Sequence, residues 1–115
     1  MKDSKIFQEL EQRILQYGID RNWQQFHTPK NMALSLSLEA NELLELFQWS
    51  TDNNAMPDRS AQLSEEIADV FYWLIKLSNY YQIDLGEVLE KKMDKNEAKY
   101  PVEVARNNPA RYSEM

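Results

Sequence analysis

Two pairs of acidic residues carry the spacing on which chemistry can be built: Glu39 with Glu42, and Glu66 with Asp69. Residues three apart share a helix face, so each pair projects its carboxylates together if its segment is helical. Spacing alone selects little, because acidic residues also stand three apart at 42/45, 84/87, 87/90 and 94/97. The last three of these lie among Lys91, Lys92, Lys95 and Lys99, where ordinary surface ion pairs suffice. The pairs 39/42 and 66/69 instead occupy the most apolar stretches of the chain, and no Lys or Arg occurs from Asn31 to Asp58. Carboxylates close to a core need a partner, and a bound cation is the economical one. If the two stretches pack side by side, all four carboxylates converge into an all-oxygen cluster, which suits Mg2+ or Mn2+ rather than zinc. A di-iron carboxylate bundle would want Glu-x-x-His motifs, and the single histidine, His27, follows no Glu at that spacing.

The elements that must position these residues read as helices. Leu34–Trp49 is apolar around most of its circumference, since Leu34, Leu36, Leu38, Ala40, Leu43, Leu44, Leu46 and Phe47 cannot share one stripe at a period of about 3.6 residues. This helix starts at Thr28-Pro29, with Thr as N-cap and Pro at the first position, and runs to Gln48 or Trp49. A first helix precedes it over Ser4–Asn22, capped by Asp3 or Ser4 and weakened at its end by Gly18. The ring-rich connector Trp23–His27 joins the two. After the turn-rich loop Ser50–Pro57, a third helix capped by Asp58 or Ser60 reaches Tyr81 and again has apolar residues on more than one side. Asp84 and Glu87 have the spacing of a capping box and open a fourth helix that ends before Pro101. Val102–Met115 shows no periodicity and reads as an irregular tail, starting at about residue 101.

The expectation is therefore one all-α domain over residues 1–115, a four-helix bundle. Two helices apolar on several sides cannot bury all that surface in so small a monomer, so a homodimer or a dimer of dimers follows. The absence of cysteine removes disulfides and thiolate metal sites and favours a reducing, cytoplasmic setting. The N-terminal MKDSKIFQELEQR lacks the apolar core of a signal peptide, and the longest apolar run, Val70–Ile75, is far too short to span a bilayer. The net charge of −6 is concentrated in residues 31–75, where eight acidic residues face Arg59 alone. Such a centre repels a phosphate backbone, which argues against nucleic acid as a partner.

Glu39-x-x-Glu42 followed, after 23 residues, by Glu66-x-x-Asp69 resembles the paired acidic motif of the MazG-like all-α nucleoside triphosphate pyrophosphohydrolases. The likeness extends through NWQQFHTPKN, LEANELLELFQW, SEEIADVFYW and KMDKNEAKYP, spans Trp23 to Tyr112, and is nearest the dCTP pyrophosphatase branch. The resemblance implies a dimerising helical domain that uses Mg2+ to split a nucleoside triphosphate, dCTP among the better substrates, into the monophosphate and pyrophosphate. It makes Glu39, Glu42, Glu66 and Asp69 the metal ligands, and Glu39 or Glu42 the group that orients or deprotonates the attacking water. It places the Trp23–His27 connector and Trp49 at the nucleotide, so Trp23, His27, Trp49 and Trp73 are the candidate base contacts. Lys92 and Asn96, one helical turn apart, are candidates for holding phosphate oxygens. Two positions depart from the family pattern: Trp73 stands where Tyr is common in the dCTP branch, and Ile14 where animal members carry histidine. The rival readings are a non-catalytic helical interaction module with a solvated acidic face and a related phosphoribosyl-ATP-type pyrophosphohydrolase.

Overall fold

The structure is a computed structural model that describes residues 4–52, 54 and 59–108. Its described residues form helices and turns and contain no strand. Four long helices succeed one another: α1 (Lys5–Asp20), α2 (Pro29–Glu45), α3 (Ser60–Tyr80) and α4 (Leu85–Lys99). A single short helix, α5 (Val102–Ala105), stands in the stretch read as irregular. No described helix is long and apolar enough to cross a membrane.

The starts of the helices follow local chemistry. Ser4 Oγ accepts from the Phe7 N–H at 3.3 Å and caps α1. Thr28 Oγ1 accepts from the Asn31 N–H at 3.2 Å with Pro29 directly behind it, so α2 begins where the Thr-Pro pair puts it. Asp84 accepts from both the Gly86 and Glu87 N–H groups and caps α4. Glu87 turns outward instead to an ion pair with Lys91 at 2.9 Å. For α3 the cap expectation changes: Arg59 is the N-cap and makes no side-chain cap bond, Ser60 is already helical, and Asp58 lies outside the described residues.

The helix ends depart from the sequence reading in two places. Gly18 does not fray α1, which continues to Asp20 with Gly18 buried inside it. The chain leaves the helix at Asn22, whose φ of 53° is left-handed. There the Asn22 N–H donates to Ile19 O and the Trp23 N–H to Gly18 O, the Schellman arrangement that Asn supports well. The second departure is α2, which stops at Glu45 rather than Gln48 or Trp49. The residues that follow tighten into i to i+3 bonds, from the Phe47 N–H to Leu44 O and from the Gln48 N–H to Glu45 O, so Trp49 stands in a turn beyond the α-helix.

Helices α2 and α3 form the main packed pair, centred on Met32, Leu46 and Ile75, each at most 3% exposed. Helix α1 lies against α3 through Phe7 and Phe71, whose ring centroids are 6.3 Å apart, and through an Asn79 to Glu11 side-chain bond. The chain is open for its length: its radius of gyration is 17.4 Å, against about 13 Å for a compact domain of this size. Leu34, Leu38 and Leu44 on α2, Ile67, Phe71 and Leu74 on α3, and Val88, Leu89 and Met93 on α4 all remain exposed. Met32 on α2 is the largest fully buried side chain among the described residues. Met32→Ala is expected to cost about 2–5 kcal/mol in urea unfolding, because it leaves a cavity in a seam with few alternative contacts.

Candidate active site

The seam between α2 and α3 brings the acidic pairs together. Glu39, Glu42 and Glu66 each present a carboxylate oxygen within 4.8 Å of the others. Glu39 and Glu66 are half-buried, and one oxygen of each is buried without a hydrogen-bond partner. Among the described residues the only ion pair is the distant Lys91–Glu87, so no described Lys or Arg pairs with the cluster. Burial raises the Glu39 carboxyl from 4.5 to about 7, helped by contact with Glu42 and by the charges of Glu42 and Asp69. Glu66 is pushed up as well, by burial first and then by Glu42. Three crowded oxygen donors, two of them orphaned, fit a hard metal ion. Asp69, one helical turn beyond Glu66, stands outside this trio but close enough for its charge to reach both Glu39 and Glu66.

Asp69 also lines a cleft of about 260 Å³ with Tyr17, Trp23, His27, Tyr72 and Trp73. The Schellman turn delivers Trp23 to this cleft. A short 3-10 turn, Gln24–Phe26, then carries the chain to His27, which the Thr28 cap holds at the head of α2. The rings meet edge to face: Tyr17 with Trp23 at 5.6 Å, Trp23 with His27 at 6.4 Å, and His27 with Trp73 at 5.3 Å between centroids. Carboxylates and aromatic walls therefore adjoin at Asp69. Trp49, Lys92 and Asn96 are not among the cleft walls; Trp49 is 69% exposed beyond α2, Lys92 is exposed and Asn96 half-buried on α4.

Lys76 escaped the sequence reading. It is the sole base within α3, is 6% exposed, and places Nζ 2.7 Å from His27 Nδ1. The signal was available, since Glu66, Asp69, Trp73 and Lys76 recur at helical spacing along one face. Tyr17 and Tyr72 were missed for a plainer reason: nothing local distinguishes a cleft tyrosine from a surface one.

The raised Glu39 carboxyl has a definite sign in stability. Between 4.5 and about 7 the folded state keeps a proton that the unfolded chain has released, so metal-free stability falls as pH rises through that window. His27, held below its usual value, works in the opposite direction. The expected outcome is thus a difference. The melting temperature of metal-free wild type, relative to Glu39→Gln, declines from pH 4.5 to about 7 and levels off above. A flat difference would remove the crowding of Glu39.

A model of the MazG-like family matches residues 34–115. The dCTP pyrophosphatase 1 of Homo sapiens is 38% identical over 105 residues, covering 87% of this chain and 62% of that protein. Its Mus musculus counterpart is 36% identical with the same coverage, so the chain spans 62% of the length of these curated relatives. A solved pyrophosphatase from Archaeoglobus fulgidus DSM 4304 superposes with a TM-score of 0.78 at 40% identity, covering 85% of this chain and 94% of that one. The acidic seam, the helical fold and these likenesses agree: the chain belongs to the MazG-like family.

Proposed function

We propose that this protein is an Mg2+-dependent nucleoside triphosphate pyrophosphohydrolase that cleaves a nucleotide such as dCTP to the monophosphate and pyrophosphate, clearing nucleotides from the cytoplasmic pool. The observation that carries the reading is the pair of orphaned, buried oxygens on Glu39 and Glu66 beside Glu42, with an aromatic cleft adjoining them. A non-catalytic module would leave these carboxylates solvated and would have no use for the cleft. The relatives named dCTP pyrophosphatase support a cytosine nucleotide over a phosphoribosyl-ATP-like substrate.

Glu39, Glu42, Glu66 and Asp69 would hold the metal, which when bound supplies charge neutralisation and Lewis-acid polarisation for the triphosphate. The protein's own contribution is position and proton handling. Glu39 or Glu42 orients the attacking water toward the α-phosphorus and takes its proton. Trp23 and Trp73 offer ring faces to the base, each such stack being worth about 1–3 kcal/mol where measured in nucleic-acid binders. His27 adds a polar wall between them. Trp49, Lys92 and Asn96 complete the proposed substrate contacts, the last two at phosphate oxygens.

Assembly belongs to the same reading. The exposed leucines of α2 and the apolar residues of α3 and α4 form a surface too rich in large side chains for a free monomer. Self-association into a homodimer or dimer of dimers covers it and closes the site from solvent.

Three measurements test the proposal. Incubation with a panel of NTPs and dNTPs, with and without Mg2+, should yield monophosphate and pyrophosphate only with metal. Glu42→Gln should lower turnover roughly 10²–10⁴-fold, the range for a lost acid–base group, and should lose most of the Mg2+-induced rise in melting temperature. Orthophosphate as the main product, or equal Mg2+ shifts in both proteins, would refute the mechanism. Light scattering should find at least a dimer at micromolar concentration; a stable monomer would refute the assembly.

A further inference from the structure

A buried lysine without a carboxylate partner is costly, because its ammonium loses water and gains no opposite charge. Lys76 is in that position: it is 6% exposed, and its short contact is to the ring nitrogen Nδ1 of His27 at 2.7 Å. The fold makes room for this contact. A Cβ built on Gly18 would lie 3.2 Å from Lys76 Nζ, so the glycine buried in α1 leaves the space that the ammonium fills. Glycine within a helix is less stable than alanine, and here the space it leaves serves Lys76. The rings of Tyr72 and Trp73 stand by the same ammonium, with centroids 5.8 and 6.0 Å from Nζ.

The chemistry of the two nitrogens fixes where the hydrogens sit. An ammonium can only donate, so Nδ1 must accept. The ordinary value of the amine, 10.5, stands far above the 6.5 of the imidazole, and burial lowers both. The 2.7 Å contact needs a hydrogen between the two nitrogens, and the amine, by its ordinary value the stronger base, is the group that carries it. A doubly protonated imidazole would set two N–H donors and a second positive charge against the ammonium. The single imidazole hydrogen then belongs on Nε2, which makes no hydrogen bond among the described residues. His27 lines the cleft between Trp23 and Trp73.

We propose that Lys76 is a positioning residue that locks His27 as the Nε2–H tautomer, so that the aromatic cleft presents a fixed N–H donor to an acceptor atom on the nucleotide's base. This rests on the reading of the cleft as the base pocket. Lys76 does not touch substrate; it acts through the ring it holds. Without it the imidazole is free to turn over and to present an acceptor where the base also offers one, leaving two acceptors opposed.

His27 is the single histidine of the chain, so its ring can be observed without assignment. A long-range 1H–15N correlation spectrum of nucleotide-free, 15N-labelled protein at neutral pH should show hydrogen on Nε2 and an Nδ1 resonance displaced by the ammonium bond. Lys76→Met should return Nδ1 to the value of a free acceptor nitrogen. It should raise KM for dCTP roughly three- to tenfold with kcat nearly unchanged, as loss of one hydrogen bond made equally in ground and transition states requires. Gly18→Ala keeps the lysine and crowds its tip, and should move both readouts the same way by less; it decides the matter if Lys76→Met does not fold. Hydrogen on Nδ1 in wild type, or an Nδ1 resonance and KM unmoved in the folded variants, would overturn the proposal. A wild type with the expected spectrum but no nucleotide turnover would refute the pyrophosphohydrolase reading and leave the lock standing.

Discussion

The mutual repulsion of carboxylates in the α2–α3 seam is the constraint on which the rest depends. Glu39, Glu42 and Glu66 meet within 4.8 Å in a part of the chain that supplies no cation to them. Partial burial raises the proton affinity of Glu39 and Glu66, and the neighbouring carboxylates add to it. The fold tolerates the cluster because α2 and α3 pack along their length and the chain buries Met32, Leu46 and Ile75, apolar side chains indifferent to charge. Stability and chemistry are thereby divided within one pair of helices: the buried apolar positions hold the pair closed while the acidic positions store an unfavourable charge that a metal ion can relieve.

The cleft beside the seam obeys the opposite electrostatic logic. Behind its wall, Lys76 is buried against an imidazole and aromatic rings rather than against a carboxylate. Had Lys76 reached Asp69 or Glu66, it would have neutralised the acidic cluster and weakened its hold on a divalent ion. Engaged by His27, it leaves the carboxylates unpaired. Positive and negative groups along one face of α3 thus serve different neighbours, and Asp69 marks the boundary between them.

The apolar surface left open by the single chain is continuous in kind with its core. Leu38 on α2 is 62% exposed although the helix that bears it is one of the two most apolar described. A residue of that type in water stabilises nothing, whereas its burial is worth about 1.5–3 kcal/mol. The helices that build the site are therefore the ones with most to gain from a second copy, which ties the proposed assembly to the proposed chemistry.

Much of this was legible in the order of residues alone. Thr28-Pro29 and Asp84 start helices because a cap acts on N–H groups two or three residues away, and the pairing of Glu39 with Glu42 needs only the helical repeat. The exits were less legible: Asn22 ends α1 by adopting a left-handed backbone, and α2 tightens before Trp49, choices that neighbouring packing settles. Only the tertiary structure decided that Asp69 stands apart from the three glutamates, and that Lys76 meets a histidine 49 residues away. Local hydrogen bonds and helical periodicity are written in adjacent residues; contacts across helices depend on how those helices cross, and no short stretch of sequence contains that angle.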